Sequence, residues 1–154
     1  MKELVELLKM KNKTISSMES CTGGGFVNKI TNIEGASDVI NFSAVTYSNE
    51  YKIRMGVKKA TIDTYSVYSM ETAKEMSEVI AKYTNSSYGV GVTGKLNRID
   101  KNNLYGNDNV VYVSIYDFDN NKFSNIQLEV NEETREKNKE KVINEIIKLL
   151  KDII

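Results

Sequence analysis

The stretch Thr14-Ile15-Ser16-Ser17-Met18-Glu19-Ser20-Cys21-Thr22-Gly23-Gly24-Gly25-Phe26-Val27 lies near the start of a 154-residue chain. Thr14 to Met18 reads as a strand. Three glycines then make a turn, and Phe26, Val27, Ile30 and Ile33 fall at helical spacing. A strand, a glycine-rich turn and a helix in this order bring backbone N–H groups together at a helix N-terminus.

Outward from this unit, helices and strands alternate. Leu4, Val5, Leu7 and Leu8 mark a short helix within Met1–Lys11. Asn41 to Tyr47 reads as a second strand, and Ser48 or Asn49 caps a helix over Tyr51 to Met55. Ser69 caps a longer helix carrying Met70, Ala73, Met76, Ile80 and Tyr83. Strands follow at Tyr88–Thr93, Val110–Tyr116 and Phe123–Val130, the last two joined by a hairpin-like turn over residues 117–122. The last helix is expected after Asn131, with Glu132 and Glu133 in its first turn and an apolar face from Val142 to Ile153. The pattern predicts a three-layer α/β/α sandwich around a mixed sheet, one domain spanning residues 1–154 with no linker or repeat. Lys95 to Asn109 reads as a polar loop after a strand, either a mobile lid or a degraded loop.

Composition removes several classes of function. Twenty-one basic residues balance twenty-one acidic ones, so net charge gives no reason to expect nucleic acid as a partner. No apolar run is long enough to cross a bilayer, so no membrane partner is expected. Histidine is absent, which excludes a zinc–histidine centre, a Ser-His-Asp triad and a Cys-His dyad. The single cysteine, Cys21, cannot form an internal disulfide, and a cytoplasmic location follows by default.

Acid–base chemistry near neutral pH must therefore come from lysine, tyrosine or a shifted carboxyl group. Ser20 sits at a strand end beside the N–H groups of Thr22, Gly23 and Gly24. These either stabilise an oxyanion or phosphate, or belong to a tight turn in which Ser20 merely caps the helix. Serine needs a base, and lysine serves only when uncharged, far below its usual pKa of about 10.4. Among eighteen lysines, Lys52 stands out, one turn into a helix after the second strand; read otherwise, it is a surface lysine. Tyr47, Thr46 and Asn49 share that strand end. Tyr47 either packs on a substrate ring or relays a proton, or is a structural strand tyrosine. Thr93 and Gly94 close another strand, at the kind of place where open α/β sheets bind ligands. Arg135 and Lys139, one turn apart on the last helix, either hold an anion or form a solvated charge face.

Glu19-Ser20-Cys21-Thr22-Gly23-Gly24, then Val45-Thr46-Tyr47-Ser48-Asn49-Glu50-x-Lys52 and Met55-Gly56-Val57, resemble the C-terminal domain family of the competence/damage-inducible protein CinA. The resemblance implies an α/β/α sandwich, usually a homodimer or larger homo-oligomer, acting on a small-molecule nucleotide without cofactor or metal. Active members hydrolyse the carboxamide of nicotinamide mononucleotide to nicotinate mononucleotide and ammonia. It makes Ser20 the nucleophile, Lys52 the base and Tyr47 the tyrosine beside the pyridine ring. Thr22, Gly23 and Gly24 then surround the reacting carbonyl, Thr93 and Gly94 begin a ligand-binding loop, and Arg135 is the first basic residue of the last helix.

The chain also departs from the family. Lys95-Leu96-Asn97-Arg98 stands where a further glycine-rich, proline-containing loop is usual, and Lys139 stands where arginine is usual. These departures leave open a divergent or inactive member that binds a small nucleotide or hydrolyses another small amide.

Overall fold

The computed structural model describes residues 1–154, with six α-helices and five strands. In chain order the elements are α1 (Lys2–Met10), β1 (Ile15–Glu19), α2 (Gly25–Thr31), β2 (Ala44–Val45), α3 (Asn49–Arg54) and α4 (Lys59–Tyr65). They continue with α5 (Met70–Thr84), β3 (Tyr88–Gly94), β4 (Val110–Asp117), β5 (Lys122–Glu129) and α6 (Arg135–Ile153). A short 3-10 turn covers Ala36–Asp38. The strands form one sheet in the order β2-β1-β3-β4-β5. β1 runs parallel to β2 and β3, while β4 is antiparallel to β3 and β5, so the sheet is mixed as expected.

Each face of the sheet is closed by helices. Leu4, Val5 and Leu8 of α1, Phe26 and Ile30 of α2, and Val142, Ile146 and Leu150 of α6 bury themselves against Val90, Val92, Val111 and Val113. On the opposite face, Met76 and Ile80 of α5 meet Met18, Val57, Ile62 and Val67. That second layer is thin because α5 lies almost in contact with β3. A Cβ on Gly89 would stand 2.0 Å from the Ser77 carbonyl oxygen, and one on Gly91 2.2 Å from that of Ala73. The alternation Tyr88-Gly89-Val90-Gly91-Val92 thus puts glycines under the helix and valines into the larger core.

Three elements differ from the sequence reading. The strand expected over Asn41–Tyr47 contracts to Ala44–Val45, because Phe42 turns outward and packs on Tyr83 with centroids 5.6 Å apart. α4 was not legible, since Ile62 is its one buried residue and no periodic stripe exists. α6 begins at Arg135, later than expected: Thr134 Oγ1 accepts the Lys137 N–H at 3.1 Å, and Glu132 and Glu133 precede the helix. The buried Asn138 accepts the Glu132 N–H at 2.9 Å and so fixes the chain entering that helix.

Candidate active site

β1 ends at Glu19, so Ser20 leaves the sheet between its two parallel neighbours, β2 and β3. Its backbone still donates to the Val92 carbonyl at 3.1 Å. Glu19, fully buried, then shapes the turn from beneath. Its carboxylate accepts the N–H groups of Gly24 (3.1 Å), Phe26 (3.1 Å) and Val27 (3.0 Å), and the Ser17 hydroxyl at 3.2 Å. The start of α2 is thereby filled by the chain's own anion. The Gly23 N–H is also engaged, donating to the Ser20 carbonyl at 3.0 Å. Gly23 and Gly24 take positive φ values of 63° and 88°, which only glycine adopts without strain.

This arrangement corrects the sequence reading of the turn. The amides of Gly23 and Gly24 are spent inside the fold, and those of Cys21 and Thr22 are the ones left without an acceptor. Ser20 does not cap α2 either, for Gly24 holds the N-cap position.

Lys52 reaches the same place from the other side. Ser48 caps α3 by accepting the Tyr51 N–H at 3.3 Å, and Lys52 follows one turn later. Its side chain runs inward, leaving the residue 1% exposed. The amine lies 3.0 Å from Ser20 Oγ and 2.7 Å from the Thr46 carbonyl oxygen. No carboxylate pairs with it, and burial pulls its pKa from the ordinary lysine value down to about 8. Near neutral pH a useful fraction of the amine is uncharged. The amine donates to both oxygens; uncharged, it has a lone pair free for the Ser20 hydroxyl while still donating to Thr46 O. Cys21, next door, is disarmed by the same environment: burial pushes its thiol up to about 12, so it stays protonated.

The pair opens onto a cleft of about 740 Å³. Among the residues singled out from sequence, Ser20, Tyr47, Asn49, Lys52, Gly94 and Arg135 line it. The Arg135 guanidinium donates to the Tyr47 hydroxyl at 3.1 Å, so the last helix and the β2 end meet across the cleft mouth. Thr46 contributes its carbonyl through Lys52, while its hydroxyl is buried without a partner, as is that of Thr22.

Of the expected ligand residues, Thr93 and Lys139, like Thr22, Gly23, Gly24 and Thr46, do not line the cleft. Thr93 is buried and donates to the Val67 carbonyl at 2.9 Å, tying the end of β3 to the segment before α5. Lys139 lies over the glycine turn, where a Cβ on Gly23 would come within 3.3 Å of its amine, and it does not line the cleft.

Residues 95–109 form a fastened wall of the cleft. At its base Lys95, 3% exposed, holds Asp108 at 3.0 Å and lies 5.2 Å over the Tyr68 ring. Across the cleft, Asp100 accepts the Tyr68 hydroxyl, the Asn103 side-chain amide (2.9 Å) and the Asn102 N–H (2.9 Å). These bonds hold its carboxyl below the usual range, the Tyr68 hydroxyl first. Asn49 donates to Asn103 at 3.0 Å and closes the link to α3. Sequence reasoning gave Glu19, Tyr68, Lys95, Arg98 and Asp100 no role in the site. Only Glu19 carried a signal: a carboxylate placed just before a glycine turn and a helix start.

A family model described as the CinA C-terminal domain matches residues 1–154. The chain belongs to the CinA C-terminal domain family. Among curated relatives, a competence-damage inducible protein from Thermoanaerobacter sp. (strain X514) is 48% identical over 96 residues, 61% of this chain and 23% of the relative. A CinA-like protein from Desulforapulum autotrophicum is 42% identical over 93 residues, 60% of this chain and 22% of the relative. The matched stretch thus spans under a quarter of the length of these relatives. The CinA fold recurs in solved structures. A CinA superfamily protein from Escherichia coli aligns with a TM-score of 0.91 at 15% identity, covering 99% of this chain and 87% of that one. The competence/damage inducible protein CihA from Agrobacterium tumefaciens gives 0.84 at 23% identity, covering 98% and 93%. The three-layer α/β/α expectation agrees with both. No helix of this CinA domain is long and apolar enough to cross a membrane.

Proposed function

We propose that this chain hydrolyses the carboxamide of nicotinamide mononucleotide, releasing nicotinate mononucleotide and ammonia. The observation that carries the reading is the buried Lys52 amine, 3.0 Å from Ser20 Oγ and titrating at about 8. Uncharged Lys52 takes the Ser20 proton as Oγ bonds to the amide carbon. The N–H groups of Cys21 and Thr22, which have no acceptor inside the fold, supply the donors for the oxyanion, an interaction of about 3–4 kcal/mol per donor in comparable sites. The ammonium of Lys52 then protonates the leaving nitrogen, and ammonia departs as the C–N bond breaks. Water, deprotonated by the same amine, cleaves the acyl-enzyme and restores Ser20. Tyr47 stands at the cleft mouth to receive the pyridine ring, with Arg135 beside it for the phosphate.

Ammonia release from nicotinamide mononucleotide tests the proposal, with glutamine and free nicotinamide as controls. Wild-type protein turns over the mononucleotide alone, and Ser20→Ala and Lys52→Met each abolish release while retaining the fold. Mononucleotide bound for hours without ammonia overturns it. The wall formed by residues 95–109, where the chain leaves the family pattern, supports a second reading, hydrolysis of another small amide or binding without turnover. The same assay, repeated with other small amides, separates the two.

A further inference from the structure

The chain has three arginines among twenty-one cationic residues. Arg54 pairs with Glu50 at 2.6 Å on the surface of α3. Arg98 and Arg135 take part in no ion pair, although Glu132 and Glu133 line a shallow depression that both arginines also border. Both arginines line the cleft that holds Ser20 and Lys52. They come to it from separate elements, Arg98 from the 95–109 wall and Arg135 from the first turn of α6. Arg98 is not loosely placed. Its N–H donates to the Asp108 carbonyl at 3.0 Å, and the Asp108 carboxylate is itself held by the buried Lys95. Two guanidinium groups without ion-pair partners line one cleft, Arg135 bonded there only to the neutral Tyr47 hydroxyl, while the carboxylates on the same cleft, Glu50 and Asp100, are held by Arg54 and by Tyr68 and Asn103. Such a pair suits a tetrahedral dianion, which each can grip through paired N–H donors.

We propose that Arg98 is the specificity-determining residue for a substrate phosphate, binding it together with Arg135. Lys139, the cation that α6 offers one turn later, does not serve there because its amine lies over the glycine turn. This rests on the mononucleotide reading of the site and assigns the grip on its phosphate to a residue of the wall that departs from the family pattern.

Calorimetric binding to the full chain carrying Ser20→Ala tests this without requiring turnover. The ligands are nicotinamide mononucleotide and nicotinamide riboside, and the added substitutions are Arg98→Ala or Lys139→Ala. Arg98 is exposed, so its removal leaves the fold intact. Losing one charge-assisted phosphate contact weakens mononucleotide binding roughly 10- to 100-fold. Riboside binding is expected to change less than about twofold, and Lys139→Ala to leave both ligands unaffected. Equal weakening of both ligands by Arg98→Ala, no weakening of either, a phosphate-selective loss from Lys139→Ala, or no mononucleotide binding at all overturns the assignment. Binding that depends on Arg98 in a chain whose wild type releases no ammonia keeps this inference and removes the amidohydrolase reading.

Discussion

Replacing Lys52 by methionine should change the shape of the stability–pH curve as well as its height. In the unfolded chain a lysine amine titrates near 10.4. Folded, Lys52 titrates at about 8 because burial penalises its charge. Between those two values the unfolded chain binds about one more proton than the native one, so stability rises with pH across that window. At pH 7 most Lys52 amines are charged and buried, a burden of roughly 3 kcal/mol that fades as pH approaches 10.4. Methionine is similar in length and does not titrate. It also strips the Thr46 carbonyl of its 2.7 Å donor, but that loss is the same at every pH. The test is urea or thermal unfolding of both proteins from pH 6.5 to 10.5. The wild-type curve should gain about 3 kcal/mol on the variant over that range, or about 6–12 °C in Tm for a domain of this size. Parallel curves would show that Lys52 is not a buried amine with a lowered pKa, and the proton-transfer step would go with it.

The same amine governs turnover, so ammonia release should climb with pH to a plateau with a midpoint near 8; a flat profile from pH 6.5 to 9 would remove Lys52 as the base. Glu19→Gln sets an amide NH₂ among backbone N–H donors and removes a fully buried charge, which should cost about 2–4 kcal/mol in urea denaturation, whereas an unchanged midpoint would deny its carboxylate the task of holding the turn. Gly91→Ala drives a methyl group to 2.2 Å from the Ala73 carbonyl and should cost at least about 3 kcal/mol or prevent folding, and a variant melting with the wild type would contradict the close seating of α5 on β3.

What the sequence disclosed and what it hid follow physical lines. The β1–turn–α2 unit was legible because a strand, three glycines and an apolar helix follow one another without a break between Ile15 and Thr31. The approach of Lys52 to Ser20 was legible as well, because parallel neighbours place their following segments at the same sheet end. Hydrogen-bond bookkeeping was not legible. Nothing in Gly23-Gly24 says that their amides serve Ser20 and Glu19, and nothing in Thr93 says that its hydroxyl turns towards Val67. Lys95 was hidden for another reason. It reads as loop polarity, yet a long aliphatic stem lets a lysine be buried along its length while its amine meets a carboxylate, here that of Asp108. α4 escaped because one buried isoleucine makes no period.

The Glu19 clamp has a consequence for how such a protein diverges. The turn that carries Ser20 is anchored to the sheet and to the base of α2, and no bond of that anchor comes from residues 95–109. Insertions, deletions and exchanges in the wall can therefore accumulate and retune which molecules enter while the Ser20 turn keeps its place. Descendants of one ancestor can acquire new diets without first rebuilding their teeth.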